Sequence, residues 1–190
     1  VSGRRTGKAV LRNMIMPTLY ILRGAPGTGK TALAAELHKT ICCPWFEFGW
    51  IPEFHNLNPH TEISYEDEER MSFENLMLVT ENYLRHGFET VILTDIREEF
   101  TDEVREKFGG RVRVIILYSG SDEVLRERVL TRDNGNEYRN ADEAVEINRK
   151  FMERVPQKGE IRVRCDDRTA EEVAQCVIDA ITAAEKPLQM

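Results

Sequence analysis

Gly24-Ala25-Pro26-Gly27-Thr28-Gly29-Lys30-Thr31 is the stretch on which the reading of this chain turns. It fills every position of the pattern G-x-x-x-x-G-K-[ST]. Just before it runs Leu19-Tyr20-Ile21-Leu22, a short apolar segment that reads as a buried strand. Just after it, Thr31 to His38 carries Ala and Leu at helical spacing. Each residue type has a physical reason. Gly24, Gly27 and Gly29 permit backbone angles that a side chain forbids, so successive N–H groups turn inward as an anion nest. The helix beginning near Lys30 adds the positive end of its dipole at the same point. Lys30 brings a full charge to β- and γ-phosphates, and the Thr31 hydroxyl is a ligand for Mg2+. Ala25, Pro26 and Thr28 complete the loop. Nucleoside triphosphate binding is the expectation, with ATP and Mg2+ as cofactors.

Outward from the loop, strand-like and helix-like stretches alternate. Further strands are expected at Trp45 to Phe48, Val91 to Leu93, Val112 to Tyr118 and Ile161 to Val163. Helices are expected around Phe73 to Leu84, Thr101 to Phe108, Ser121 to Leu130, from Asn140 onward, and from Thr169 to about Ile181. Asn140 with Glu143, and Thr169 with Glu172, have the spacing of capping boxes. Glu53 to Asp67 is polar and reads as a loop or small flap. Such alternation implies an α/β fold of three layers, a parallel five-stranded sheet covered by helices on both faces.

Asp95 follows the third strand, beside the glycine loop in a parallel sheet. A carboxylate there can hold a water on Mg2+ or take a proton from an acceptor hydroxyl. Ile96 follows it, where hydrolytic motors usually place a water-activating glutamate, so transfer to an acceptor is favoured over hydrolysis. Arg126, Arg128, Arg132 and Arg139 precede or flank a turn-rich loop; Arg128 and Arg132 are spaced i, i+4 and are expected on one helix face. Arginine grips phosphate oxygens bidentately.

The whole chain bounds these readings. It has 190 residues, 41% hydrophobic and 31% charged, enough for one domain with its own core. The formal charge of -7 argues against a general nucleic-acid binder. No apolar run is long enough to span a membrane. Cys42, Cys43, Cys165 and Cys176 lack metal-site spacing, and no signal peptide precedes them, so they read as reduced core thiols of a cytoplasmic protein. Residues 1–13 are basic and poor in apolar side chains, and read as an expression remnant or a loose arm, with Met14 or Met16 as a natural start. Residues 14–190 then form a single domain. His55 and His60, with the carboxylates from Glu62 to Glu69, read as a solvated acidic helix start rather than a metal site.

Together the glycine loop, Asp95 and the arginines resemble the P-loop kinases that phosphorylate small molecules, such as adenylate, shikimate and gluconate kinases, from about Thr18 to Ala184. The resemblance implies strand order 2-3-1-4-5 and a helical lid after the fourth strand, here about residues 128–142. It implies that Arg128 and Arg132, with Arg139 as a third candidate, flank the nucleotide and the transferring group. One segment, Pro44-Trp45-Phe46-Glu47-Phe48-Gly49-Trp50, looks like the Pro-Trp-x-x-Phe-Gly stretch of chloramphenicol phosphotransferase. That family continues into a catalytic aspartate; here Ile51 stands at that position, and Glu53 is the carry-over candidate for the base. Residues 45–67 are thus the expected acceptor region. Its aromatics Trp45, Phe46, Phe48, Trp50 and Phe54 fit either core or a pocket wall. The base is open among Glu47, Glu53 and Asp95. The implied activity is ATP- and Mg2+-dependent phosphoryl transfer to a small-molecule hydroxyl or phosphate. The rival readings are a polynucleotide end kinase and an ATP-binding regulatory module that transfers nothing.

Overall fold

A computed structural model describes residues 19–50, 63–133 and 138–185. Five parallel strands lie in the order β2-β3-β1-β4-β5. They are β1 Leu19–Gly24, β2 Trp45–Glu47, β3 Val91–Thr94, β4 Val112–Tyr118 and β5 Glu160–Arg164. Six helices connect and follow them: α1 Lys30–Ile41, α2 Tyr65–Arg85, α3 Glu98–Phe108, α4 Asp122–Thr131, α5 Ala141–Glu153 and α6 Ala170–Glu185. This is the sheet order and layering expected from the sequence.

Strand alternation divides the core into two layers. Tyr20 and Leu22 of β1, Ile92 of β3 and Ile115 and Leu117 of β4 face α1 and α6, meeting Leu33, Leu37, Val173 and Val177. Leu19, Ile21, Leu93, Val114 and Ile116 face α2 and α3, meeting Phe73, Leu76, Met77 and Val104. Phe73 and Phe100 stack with centroids 4.4 Å apart and lock α2 to α3. A smaller cluster of Ala25, Leu125, Val129, Ala144 and Val145 seats α4 and α5 against the glycine loop.

Local chemistry sets the helix ends. Ser64 Oγ accepts from the Asp67 amide at 3.1 Å, so the polar stretch expected to run as loop through Asp67 is already helix from Tyr65. Thr169 and Glu172 form a reciprocal capping box, with bonds of 2.8 and 3.2 Å. Asn140 Oδ1 caps the Glu143 amide at 3.1 Å. The helix expected at Thr101 starts three residues earlier, at Glu98.

The aromatic segment resolves towards core. Phe46 packs on Tyr83 at 5.0 Å, Phe48 is buried beside Phe100, and Trp45 lies against the α1 layer, its indole N–H donating to Thr94 Oγ1 at 3.3 Å. Residues 1–13 lie outside the described residues, as do Ile51, Glu53, Phe54, His55, His60, Glu62 and Asn134 to Asn136 of the expected lid. The described part of the lid span runs from the last turn of α4 to the first residues of α5. Cys43 and Cys165 are core thiols, and burial pushes Cys43 up to about 12. Cys42 departs from the expectation: it is exposed, because it terminates α1 in the left-handed conformation, φ 59°. No group of three or more metal-ligating side chains occurs among the described residues. Nor is any helix there long and apolar enough to cross a membrane.

Both sheet edges are short or charged. β2 has three residues; β5 reads Glu-Ile-Arg-Val-Arg. Beyond β4 and β5, the buried Asp166 ties the two chain crossings together. It accepts from Ser119 Oγ, from the Gly120 amide at 2.5 Å and from Arg164 Nε at 2.6 Å. Asn148 of α5 pairs both backbone groups of Ser119, at 2.9 and 2.8 Å.

Two outcomes follow from this packing. Ile115 is fully buried between β1 and β5, so Ile115→Ala should lose about 2–5 kcal/mol in a urea unfolding curve. Burial opposes the charged form of Asp166, but the Ser119, Arg164 and Gly120 hydrogen bonds outweigh it and hold the carboxyl below its usual range. Its contribution to stability is therefore full above the unfolded aspartate value and is lost as pH falls through the lower folded one. Asp166→Asn should be less stable than the parent at neutral pH, with the gap closing only below about pH 4 in thermal melts.

Candidate active site

The C-terminal edge of the sheet is where three predicted residues meet. Parallel pairing sets Leu22 beside Thr94, and Glu47 beside Thr94 on its other side. One residue past each partner lie Arg23, which leads into Gly24, and Asp95. In an open α/β sheet, ligands sit in the crevice beyond this edge.

Gly24, Gly27 and Gly29 all have positive φ, 146°, 86° and 88°. Gly29 is the residue on which α1 starts, and no side chain caps that helix. The first turn of α1 carries no acidic residue, whereas each of α2 to α6 carries at least two. Among the α-helices of the described residues, the positive end of α1 is thus the one left without an acidic residue in its first turn. Lys30 Nζ donates across the loop to the Gly24 carbonyl at 3.0 Å and the Ala25 carbonyl at 3.3 Å. It also pairs with Asp95 at 3.3 Å. Thr28 is buried, and its hydroxyl closes the loop on the Ala25 carbonyl at 2.8 Å. Asp95 itself is held at φ 60°, an uncommon conformation for a residue with a side chain.

A cleft of about 900 Å3 opens over the loop. Pro26 to Leu33 line it, with Glu47, Asp95, Arg128, Arg132, Tyr138 and Arg168. Lys30, Arg128, Arg132 and Arg168 bring four cations to a wall with two carboxylates, so the cleft is locally positive in an acidic chain. Thr31 faces this space and is exposed.

The arginines reach the cleft by different routes. Arg128, on α4, donates through both terminal nitrogens to the Cys165 carbonyl at 3.2 Å. Arg132 is not on the same helix face: it is the residue that ends α4, with φ -61° and ψ 140°. Its guanidinium lies 5.3 Å from the Tyr138 ring centroid. Burial first, then the Arg139 charge, draw its pKa below the usual value. Arg139 donates to the Tyr138 and Arg132 carbonyls, at 2.9 and 3.0 Å, and does not line the cleft. Arg126 turns to Asp142 instead. Of the proposed bases, Glu47 and Asp95 line the cleft, and Glu53 lies outside the described residues.

Sequence reasoning missed Arg168. It sits in the turn between β5 and α6, donating to the Arg164 carbonyl at 3.3 Å. Its position after a parallel strand and just before the Thr169 cap was a readable signal.

No protein-family model matches this sequence, and no curated protein gives a significant sequence match. Solved structures do match in fold. A gluconokinase from Sinorhizobium meliloti 1021 aligns with TM-score 0.64 at 15% identity, over 90% of this chain and 94% of its own. The tunicamycin resistance protein of Deinococcus radiodurans aligns with TM-score 0.62 at 16% identity, over 86% and 95%. A shikimate kinase from Acinetobacter baumannii, in complex with shikimate, aligns with TM-score 0.56 at 19% identity, over 90% and 95%. With its parallel order β2-β3-β1-β4-β5 and helices on both faces, the chain has the fold of the P-loop small-molecule kinases.

Proposed function

We propose that this chain is an ATP- and Mg2+-dependent phosphotransferase that passes the γ-phosphoryl group to a hydroxyl or phosphate of a small-molecule acceptor. The observation that carries the reading is the Lys30–Asp95 pair, 3.3 Å apart over an uncapped, acid-free helix start. A cation, an anion nest and a carboxylate converge there on one point of the cleft.

The donor set fits a metal-bound triphosphate. Lys30 reaches across the loop to two carbonyl oxygens, which holds its ammonium over the glycine loop where a phosphate would lie. Thr31 and Asp95 supply oxygen ligands of the kind Mg2+ prefers, and they are the residues that would hold it. The ion, when bound, neutralises charge on the phosphate oxygens. Arg128, Arg132 and Arg168 complete a cationic wall that offsets negative charge growing on the transferring group. The Arg132 guanidinium lies over the Tyr138 ring, and the Arg139 charge nearby makes an approaching anion more favourable.

Two carboxylates share the acceptor end. Asp95 is engaged with Lys30, which suits the metal shell. Glu47 lies one strand further out on the same edge and lines the same cleft, which suits proton removal from the acceptor. The side of the sheet on which Glu47 stands follows from strand alternation: it shares a face with Trp45, towards α1 and the glycine loop.

ATP consumption against a panel of nucleosides, nucleotides, sugars, antibiotics and oligonucleotides tests the assignment. Stimulation by one small acceptor supports it; stimulation by oligonucleotides alone, or by nothing, overturns it. Lys30→Met should lower turnover about 100-fold or more with an unchanged circular dichroism spectrum, and undiminished turnover would sink the reading. Asp95→Asn should raise the Mg2+ concentration needed for half-maximal rate. Glu47→Gln should instead cut kcat about 100-fold and remove the acidic limb of the pH–rate profile.

A further inference from the structure

We propose that the groove between α2 and α3, on the outward side of that helical layer, is a docking surface for the chain's own residues 4–16. This surface is separate from the cleft, and its use does not depend on the phosphotransfer reading.

The groove has a volume of about 630 Å3, and Phe73, Met77 and Leu78 give it an apolar lining. Phe73 and Met77 are backed by the core and are 3% exposed each. Leu78 is 60% exposed, and Met71, seven residues earlier on α2, is 47% exposed. Residues seven apart lie close to one line along a helix, and the outward face of such a helix ordinarily carries polar side chains. Two large apolar side chains on one line, beside an apolar groove, mark a surface suited to being covered.

The charge around the groove narrows what covers it. α2 holds six acidic and two basic residues, and α3 holds five and two, so these helices together carry the same -7 as the whole chain. The cations at the groove are already engaged. Arg70 donates to Glu74 at 2.9 Å and to Glu103 at 2.6 Å, and Lys107 pairs with Glu81 at 3.0 Å. Glu106 lines the groove, is exposed, and has no ion pair among the described residues. The rim is thus left with acid in excess. It suits a segment that brings cationic and apolar side chains together.

Residues 1–18, which lie outside the described residues, have that composition. They include Arg4, Arg5, Lys8 and Arg12 and no acid, with Val10, Leu11, Met14 and Ile15 close by. They also start from the right place. Leu19, which follows them, pairs with Val91 and Val112, the first residues of β3 and β4. α2 ends six residues before Val91 and α3 four residues before Val112, so the chain enters β1 at the end of the sheet where both helices finish. Leu19 packs in the same apolar cluster as Phe73, Met77 and Phe108. From Arg85 back to Arg70, α2 rises about 22 Å. Eighteen residues extend to about 60 Å, which spans the groove with length to spare. A tethered segment has an effective concentration in the mM range, so contacts too weak to hold a free peptide are enough. A second copy or another protein has to give up free translation and rotation to bind there, which the chain's own segment does not.

Methyl resonances of the full chain give the test. Met14 and Met16 belong to the segment, Met77 lines the groove, and Met152 lies on α5 and does not. Nuclear Overhauser contacts from Met14 or Met16 to Met77 or Leu78 are expected at about 0.01 M salt. They should fade at about 1 M, where the screening length falls to about 3 Å. Replacing Arg4, Arg5, Lys8 and Arg12 together by Glu should abolish them and shift the Met77 signal, with Met152 unmoved. Leu78→Asp and Glu106→Lys change exposed positions and should each lose most of the contact intensity. Absence of the contacts at low salt overturns the docking, as does an unmoved Met77 in the charge-reversed chain. Contacts that survive in both Leu78→Asp and Glu106→Lys overturn the groove as their place. Contacts between labelled and unlabelled copies in a mixed sample, with a dimer mass by light scattering, overturn the choice of occupant, because the segment then sits on a second copy.

Discussion

At Gly24 the central strand ends against its neighbour so closely that a methyl group there would lie 2.4 Å from the Leu117 carbonyl oxygen and 2.8 Å from Thr28 Oγ1. Its φ of 146° is a second barrier, because a side chain at that angle clashes with its own backbone. That close approach keeps the end of β1 paired with β4 as far as Gly24 and Leu117, where the loop begins. The loop in turn sets the first turn of α1 over the strand ends. Lys30, Asp95 and the cationic wall depend on that turn being tight. A residue with a side chain would push the loop away from β4 and widen the cleft from its floor.

Charge is distributed in a way the net value hides. The chain carries -7, yet the cleft is cationic, and the start of α1 is kept free of acids while the other helices begin with them. Acids at those other starts stabilise their own helices. At α1 the same stabilisation is forgone, which leaves the dipole facing the cleft. The fold thus separates two uses of one physical effect: the other α-helix starts are satisfied internally, and that of α1 is left open to the cleft.

Much of this was legible in the chain. The glycine loop, the five strands and the capping boxes rest on local chemistry, where residues a few positions apart decide the outcome. Asp95 was legible because a parallel sheet brings strand ends together. Arg132 was misplaced because spacing alone cannot show that a helix stops one residue early. The aromatics at 45, 46 and 48 were undecided because core and pocket use the same residue types; the register of β2 on β3 was needed to send Phe46 and Trp45 to opposite layers. The burial of Arg23 gave no sequence signal. Its partner Glu98 lies 75 positions away along the chain, and Arg23 itself directly follows a run that reads simply as an apolar strand.

The two outer strands carry a consequence for copies of this chain meeting one another. An exposed strand edge is a template for further pairing, and long apolar edges invite sheets to join. β2 offers three residues, too few to register a partner strand. β5 sets Glu160, Arg162 and Arg164 along its length, and a strand added there would disturb the pairs that Glu160 makes with Arg154 and Arg162. Short and charged edges of this kind disfavour the joining of sheets, and Glu47 stands at the tip of the shorter one.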